Sequence, residues 1–467
     1  MTPTDAWIWY LEQDPLLRFT VTSVTLLDRS PDWDRLVDRV EKSSRGAPHF
    51  RDRVVSSPLR LAPPRWVTDD RFDLGYHLRR VRAAAPGTLD SVLEQARTCA
   101  MTGLDRSRPL WEATLVEGVE GEGAAIVLKA HHSLTDGVGS MQLAVMLFDL
   151  EPDADPQDWP DPPAPEPLTR LGLARDAATH HTARFGGFAA RATASALRLA
   201  RDPVAEAGGW LRTVGSVARM VRPVGDTFSP VMRDRSTSWR FQVLDVPFDG
   251  LRAATQATGT TLNDGFLAGI TGGMRRYHEQ LGQPVDQLRV AMPINIRKPG
   301  DPIGGNRVSI IRYAVPVGVA DPAERLPLLH EAAKRAREEP AVPHTEGVLD
   351  AVAPVTPLAV RSMAVHMDFG ASNVPGPTFP VHLAGAEVVR LYPFGPTGGS
   401  AVNITLLSYR GTCCIGVNSD VAAIPDGERF LACLAEGFDE VLALGGSGER
   451  AVAGGLRARA PATRVTA

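Results

Sequence analysis

A proline- and acid-rich segment one third of the way along the chain restricts the folds that this sequence can adopt. Residues 151–167 read EPDADPQDWPDPPAPEP. Each proline removes a backbone N–H donor and fixes φ, so this run forms neither a helix nor a central strand. We therefore predict an exposed crossover between two folded parts, and the 467 residues suffice for two domains of about 200 residues each.

The crossover divides the chain into four predicted parts. Residues 1–150 form an N-terminal domain, 151–235 the crossover with an amphipathic helical stretch, 236–444 a C-terminal domain, and 445–467 a disordered tail with little to bury. Within the crossover, 171–221 is basic and has apolar residues at helical spacing. This stretch either covers the protein's own core, which we favour, or lies on an anionic membrane surface.

Both predicted domains mix helices and strands. Apolar alternation and helical spacing predict strands at 19–27, 110–117, 124–132, 238–246, 288–296, 308–317 and 382–392, a hairpin at 403–407 and 413–417, and helices at 31–42, 89–101, 262–281, 322–337 and 427–444. Residues 140–150 are too apolar on all sides for a surface helix. The predicted fold class is α/β with a mixed sheet in each half.

Composition narrows the class of protein further. Hydrophobic residues make up 43% and charged residues 22%, a composition that excludes a disordered chain. The net charge of -4 gives a nucleic-acid partner little electrostatic support. The four cysteines contain no C-x-x-C pair, so neither a zinc site nor a disulfide framework is expected. The sequence contains neither a signal-peptide pattern nor an apolar run of about 18 residues, and we expect a cytoplasmic protein that does not span a membrane.

Two adjacent histidines carry the clearest chemical signal. They lie in AHHSLTDGVG, residues 130–139, at the end of a predicted strand. Because strand side chains alternate, His131 and His132 point to opposite faces, which disfavours a shared metal ion. An imidazole that titrates near neutrality suits a general base, so His132 is the candidate base and His131 its structural neighbour. A structural histidine pair is the alternative, and Asp136 either supports this loop or is a turn and cap residue.

Other common catalytic motifs do not occur in the sequence. We find no G-x-S-x-G, no G-x-x-x-x-G-K-[ST] and no G-x-G-x-x-G after a strand. A general base without an evident protein nucleophile favours direct attack by one substrate on another.

The histidine motif and five further segments together resemble a known family. HHSLTDG resembles the HHxxxDG motif of the acyl-CoA-dependent acyltransferase superfamily, which includes chloramphenicol acetyltransferase. LDRSRPLWE (104–112), TLNDGFLA (261–268), AMPINIRK (291–298), GGNRVS (304–309) and SNVPGP (372–377) follow the order found in the bacterial wax ester synthase/diacylglycerol acyltransferase family. The resemblance covers about residues 4–444.

This resemblance implies a fold and a reaction. The fold would consist of two similar mixed-sheet α/β domains of the chloramphenicol acetyltransferase-like type, with the active-site tunnel between them. The enzyme would move a long-chain acyl group from acyl-CoA to the hydroxyl of diacylglycerol or a long-chain alcohol, with His132 as general base and no acyl-enzyme. Acyl-CoA is then a co-substrate, no cofactor or metal is expected, and peripheral contact with a membrane or lipid droplets is compatible with lipid substrates.

The resemblance also implies roles for individual residues. Asp136 would form a structural salt bridge with Arg297. The alternative is that Arg297 is an ordinary solvent-facing arginine at the end of a strand. The implied substrate-binding residues are Gly137, Asn263, Asp264, Ser372, Asn373, Ser400 and Asn403. For Asn263, at a helix N-terminus, donation to the developing oxyanion is one interpretation. A capping box formed by Thr261 and Asp264 at the start of this helix is the alternative account of both Asn263 and Asp264.

Two departures from the family pattern bear on substrate preference. Gly265 stands where the family commonly has valine, and Asn295 where it often has serine, changes that would loosen the helix or enlarge the pocket. Gly265, Gly269 and Gly273 also recur every fourth residue, a flat face for close packing. The alternatives to lipid acylation are acylation of an amine or a secondary-metabolite hydroxyl on the same fold, and a catalytically silent lipid-binding protein.

Overall fold

The computed structural model describes most of both halves of the chain. The described residues are 1–56, 62–120, 122–134, 146–153, 159–164, 172, 175, 179, 182, 216, 225–295, 308–340, 364–446 and 448–454. Most of the predicted crossover, the basic stretch at 171–221 and most of the apolar segment at 140–150 lie outside them.

The described part of residues 1–131 contains four helices and six strands, with one 3-10 turn at Pro15–Leu17. The helices are α1 (Pro3–Leu11), α2 (Trp33–Gly46), α3 (Leu74–His77) and α4 (Leu89–Met101), and the strands are β1 (Thr20–Leu27), β2 (Asp52–Val55), β3 (Arg65–Thr68), β4 (Leu78–Arg82), β5 (Trp111–Val119) and β6 (Gly123–His131). β2 and β3 pair only with each other.

The second half contributes four helices and nine strands among the described residues. These are β7 (Trp239–Pro247), α5 (Phe248–Ala257), α6 (Leu262–Gln280), β8 (Gln287–Asn295), β9 (Val308–Pro316), α7 (Pro322–Arg337), β10 (Phe369–Val374), β11 (His382–Leu383), β12 (Ala386–Phe394), β13 (Val402–Tyr409), β14 (Thr412–Asp420), α8 (Gly427–Leu444) and β15 (Val452–Ala453).

These elements build two large mixed sheets. The first sheet has six strands in the order β11-β12-β1-β6-β5-β4, and the second has seven in the order β15-β7-β14-β13-β10-β8-β9. β4 pairs parallel with β5, and β10 pairs parallel with both β13 and β8, while the other neighbours in these sheets are antiparallel. The mixed α/β class predicted from the sequence is confirmed.

Local sequence signals explain where several of these elements begin and turn. α7 starts at Pro322 after Asp321, whose side chain accepts from the N–H of Ala323, so the predicted helix at 322–337 is found with those bounds. The predicted hairpin turns at Arg410 and Gly411, which have φ of 45° and 77°. Positive φ at both central residues is the geometry of a type I′ turn, whose twist matches that of paired strands.

One strand from the second half completes the sheet of the first. β12 pairs with β1, with Val24 opposite Tyr392. It also packs against the second sheet, because Gly416 of β14 has no side chain at a point where a Cβ would lie 1.9 Å from the carbonyl oxygen of Pro393. Residues 382–394 of the predicted C-terminal domain therefore belong structurally to the first sheet.

The segment after α8 is ordered as far as residue 454 among the described residues. Val452 pairs with Asp245 of β7, and the N–H of Ala451 donates to Asp439 Oδ1 at 2.8 Å. The disordered tail predicted from residue 445 is therefore corrected for these residues, because a short strand adds to the sheet edge. Residues 455–467 lie outside the described chain.

The glycine face predicted on α6 packs against α8. A Cβ on Gly273 would lie 2.6 Å from Leu434 Cα, and one on Gly437 would lie 2.2 Å from the Gly273 nitrogen. The two helix backbones therefore approach each other directly, as the spacing of the glycines predicts. Among the helices that the structure describes, none is both long and apolar enough to cross a bilayer.

Candidate active site

His131 occupies the last position of β6 and is enclosed on all sides. Its side chain is 0% exposed. Ser133 lies beside Nδ1, with its hydroxyl oxygen at 2.6 Å and its backbone nitrogen, a donor, at 3.1 Å. On the other side of the ring, Nε2 is 2.8 Å from Glu12 Oε2, and Trp9 meets the imidazole edge-on with centroids 5.7 Å apart. These contacts enclose the His131 ring and hold it in place within the fold.

α1 and the turn after it supply the acidic partner of His131. Glu12 caps the C-terminal end of α1 and is 11% exposed, with Arg106 3.7 Å from Oε2 and the Thr20 hydroxyl 3.3 Å from Oε1. Burial acts to raise the pKa of Glu12, but the contact with His131 and the charges of Arg106 and Arg18 outweigh it, so that the pKa is lowered. Glu12 is thus an ionised carboxylate with the cationic side chains of Arg106 and Arg18 nearby.

His132 follows His131 at the junction of strand and loop and is half-buried. Its backbone N–H donates to the carbonyl of Phe19 at 2.9 Å, whereas the N–H of His131 donates to Leu110 at 2.9 Å. The two consecutive N–H groups therefore donate to segments on the two sides of β6, as in a regular strand. In a regular strand, consecutive side chains point to opposite faces of the sheet. The N–H of Leu134 donates to the carbonyl of His131 at 3.0 Å and fixes the turn that contains His132.

Three of the predicted site residues fall where the structure is not described. Asp136 and Gly137 belong to the undescribed residues that follow residue 134, and Arg297 to those that follow residue 295. The predicted Asp136–Arg297 salt bridge thus stays a prediction.

The start of α6 shows the predicted capping box. Thr261 Oγ1 and the N–H of Thr261 both lie within 3 Å of Asp264 Oδ2, at 2.7 and 2.9 Å. His330 of α7 places Nδ1 2.8 Å from the same oxygen. Asp264, 3% exposed, therefore joins the N-terminus of α6 to α7. Its neighbour Asn263 is half-buried and directs Nδ2 at the sulfur of Met292 at 3.8 Å, a weak acceptor.

The glycine at position 265 packs against α5. A Cβ there would lie 2.5 Å from Thr255 Cγ2 and 3.1 Å from Leu251 Cδ1. The space that a valine would fill is occupied by these two side chains, so the expectation of a larger pocket at Gly265 is wrong.

The predicted residues of β10 and β13 separate onto two faces of the second sheet. Ser372 pairs with Thr405, and Gly370 with Asn403, so Ser372 and Asn403 share a face. On this face Thr405 donates from Oγ1 to Asn403 Oδ1 at 2.7 Å. Gly395, which follows β12, lies against the same amide, because a Cβ there would be 2.6 Å from Asn403 Oδ1. The face is therefore the one turned toward the first sheet.

Asn373 and Ser400 have other surroundings. Asn373 follows the strand alternation of Phe369 and Ala371, which lie in the core under the helices, and so points away from Ser372. Ser400 is buried and donates from Oγ to the carbonyl of Thr397 at 2.6 Å, which closes the turn before β13. Ser400 therefore shapes the local backbone.

Sequence reasoning missed Glu12. Its contact with His131 joins residues far apart in the chain, and no spacing rule links them. The available signal was the buried position of His131 within the motif, because an enclosed imidazole requires partners for both ring nitrogens.

Comparison with known families agrees with this arrangement. Residues 1–266 match the wax ester synthase/diacylglycerol acyltransferase catalytic domain, and residues 304–441 match the C-terminal domain of the same family. A Mycobacterium tuberculosis (strain H37Rv) protein whose name proposes a diacylglycerol O-acyltransferase is 38% identical over 95% of this chain and 92% of its own. A second protein of that strain with the same name is 30% identical, over 94% and 96%.

Solved structures share the fold. The wax ester synthase/diacylglycerol acyltransferase from Marinobacter aquaeolei VT8 superposes with a TM-score of 0.63 at 23% identity, covering 96% of this chain and 99% of its own. The first condensation domain of the calcium-dependent antibiotic synthetase gives 0.62 at 15% identity, with 96% of each chain covered.

The fold of this chain, with its two mixed sheets, is therefore that of these two solved structures. The chain belongs to the wax ester synthase/diacylglycerol acyltransferase family and is an acyl-CoA-dependent acyltransferase.

Proposed function

We propose that this protein transfers a long-chain acyl group from acyl-CoA to the hydroxyl of a diacylglycerol or a long-chain alcohol, with His132 as the general base. The observation that carries the proposal is the contrast between the two histidines. His131 is fully enclosed, while His132 is half-buried directly after the end of β6 and, by strand alternation, points to the opposite face.

The proposed reaction needs no covalent enzyme intermediate. His132 accepts the proton of the acceptor hydroxyl while its oxygen attacks the thioester carbonyl carbon. The C–S bond breaks when the tetrahedral adduct collapses, and the imidazolium returns the proton to the departing CoA thiolate. The ester and free CoA are the products, so atoms and charge balance without an acyl-enzyme.

We assign supporting roles to the remaining predicted residues. Gly137, Asn263, Ser372 and Asn403 line the pocket in this proposal, whereas Asn373, on the opposite face of β10 from Ser372, does not. Asp264 and Ser400, whose side chains bond within the fold, shape it instead. Asp136 and Arg297 hold the motif loop to the second half.

The Asp136–Arg297 pair is testable by charge exchange. Asp136→Arg and Arg297→Asp should each lower activity, and the double variant should recover part of it, because the exchange restores an attractive pair. If the double variant shows only the product of the two single losses, the two residues do not interact.

The acceptor class is decided by a product assay. Purified protein receives palmitoyl-CoA together with dioleoylglycerol, hexadecanol or a long-chain amine, and the products are identified by mass. Ester formation with either lipid alcohol supports the proposal. Amide formation alone would identify an amine acylase instead, and CoA release without acyl product would indicate hydrolysis.

Direct transfer and peripheral membrane contact require two separate measurements. Intact-protein mass after incubation with palmitoyl-CoA alone should show no added acyl group, and an acylated protein would overturn the direct mechanism.

Flotation with anionic and neutral liposomes should carry the protein upward with the anionic ones if the basic stretch at 171–221 contacts membranes. Recovery of all protein in the bottom fraction would refute such contact.

A further inference from the structure

The arrangement around His131 determines which of its ring nitrogens carries a proton. A backbone N–H can only donate, and the N–H of Ser133 points at His131 Nδ1 at 3.1 Å. Nδ1 is therefore an unprotonated acceptor, and the proton of the neutral ring is on Nε2. This nitrogen lies 2.8 Å from Glu12 Oε2, with the oxygen off the N–H axis, so the contact is chiefly electrostatic.

The opposite tautomer would disrupt the turn that carries His132. A proton on Nδ1 would face the N–H of Ser133, which has no other orientation because it is part of the backbone. Ser133 is 0% exposed and Leu134 is 1% exposed, so neither can turn toward water without opening the core. The protonation of His131 and the geometry of residues 131–134 are thus linked.

We propose that Glu12 is a positioning residue for acyl transfer, which acts through His131. Its carboxylate stabilises the Nε2-protonated ring, the ring holds Ser133, and the held turn places His132. The proposal rests on the role of His132 as general base, and Glu12 itself lies at the end of α1, outside the HHxxxDG motif. A supporting shell of this kind fixes the tautomer and orientation of catalytic imidazoles in other sites.

The positive charges around Glu12 favour its ionised carboxylate, which the proposed role requires. Arg106 approaches Glu12 from the loop before β5, Arg18 from the segment before β1 and Lys129 from β6, while Trp9 belongs to the same helix and stacks under Arg106. Each of the three cations favours the ionised carboxylate. Thr20 adds a hydroxyl donor to Oε1 at 3.3 Å.

Glu12→Gln tests the relay, because it keeps the shape of the side chain and removes its charge. Glu12→Asp keeps the charge on a shorter side chain, and Glu94→Gln is the matched control, since Glu94 is 62% exposed and pairs with Arg97 on the surface of α4. Each variant is assayed for CoA release from palmitoyl-CoA with a lipid alcohol. The tautomer of His131 is read from the ring signals of ¹⁵N-histidine-labelled full-length protein, assigned with His131→Gln.

The expected result is a change in kcat and in tautomer together. Glu12→Gln should lower kcat about tenfold, in the range found for loss of a supporting partner, with the KM for palmitoyl-CoA changed less than about twofold. Its His131 signals should show a population protonated on Nδ1. Glu12→Asp should recover part of the kcat, and Glu94→Gln should match the wild type in both measurements.

Two outcomes would overturn the proposal. One is a Glu12→Gln protein with wild-type kcat, and the other is a lowered kcat with unchanged His131 ring signals, since Glu12 would then act by another route. The labelled-ring measurement also separates this proposal from the preceding one. If His132→Ala retains full activity, His132 is not the base, but the ring signals of Glu12→Gln still report whether Glu12 sets the tautomer of His131.

Discussion

Glu440 of α8 joins three arginines in the second half of the molecule. Its Oε1 accepts from Arg275 at 2.8 Å and from Arg276 at 2.7 Å, and its Oε2 accepts from Arg325 at 2.9 Å. Arg325 of α7 is 0% exposed, and its other guanidinium donors reach the carbonyls of Val319 and Ala320. Burial lowers the pKa of Arg325, and the contact with Glu440 opposes this effect.

Glu440→Gln should therefore destabilise the fold strongly. Removing one partner of a buried ion pair leaves an uncompensated buried charge, which costs about 3–5 kcal/mol. A glutamine oxygen can still accept one hydrogen bond, and Arg325 keeps its two carbonyl partners, so we expect the lower end, about 3 kcal/mol. For a unit of about 200 residues, each kcal/mol lowers Tm by about 2–4 °C, which gives a decrease of about 6–12 °C.

The measurement is thermal unfolding by calorimetry, with Glu436→Gln as control. Glu436 lies one turn earlier on the same helix and pairs with Arg276, with both side chains more than a third exposed. Exposed pairs contribute about 0–1 kcal/mol, so the control should differ from the wild type by no more than about 4 °C. Equal Tm values for Glu440→Gln and Glu436→Gln would refute the reasoning from burial.

Further predictions concern helix packing and acid stability. Gly437→Ala places a methyl group within 2.2 Å of the Gly273 nitrogen, so α6 and α8 must separate, and we expect a loss of about 1–3 kcal/mol in chemical denaturation. Gly103→Ala, where a Cβ meets nothing within 4 Å, is the control, and an equal effect in both would contradict the packing argument. Because the pKa of Glu12 is lowered from 4.5, its ionised form stabilises the fold above pH 4.5, and this contribution is lost as pH falls through the folded-state pKa. Glu12→Gln should therefore show a flatter decrease of Tm below pH 4.5, and an unchanged slope would show that Glu12 does not contribute to acid unfolding.

Much of the fold was predictable because its signals are local. α7 and α8 are found at the predicted residues, since each begins after a capping aspartate, Asp321 and Asp426. The turn at Arg410 and Gly411 separates two runs of alternating apolar residues, so the hairpin follows from nearest neighbours in sequence.

The remaining features depend on contacts between distant parts of the chain. β12 pairs with β1 across more than 360 residues of sequence. No feature in the sequence of either strand identifies the other as its partner. β4, with three arginines in five residues, lies at a sheet edge where charge is tolerated, so it lacks the apolar alternation that would have revealed it.

In the candidate site, too, local contacts could be predicted from the sequence, whereas contacts between distant residues could not. The capping role of Asp264 could be predicted from Thr261 three residues earlier, whereas the contact of Asp264 with His330 could not. Alternation could have separated Ser372 from Asn373, because adjacent strand residues cannot line the same face. The pairing of Glu12 with His131 requires the tertiary structure.

The central claim, that His132 is the base of an acyl-CoA-dependent O-acyltransferase, is tested most directly by comparing the wild type and His132→Ala at saturating palmitoyl-CoA and lipid alcohol. CoA release and ester formation are followed in the same reaction, and circular dichroism confirms that the variant is folded. The account predicts one ester for each CoA released by the wild type and a decrease of about 10²–10⁴-fold in both for His132→Ala. A folded His132→Ala protein that forms ester at the wild-type rate would contradict it.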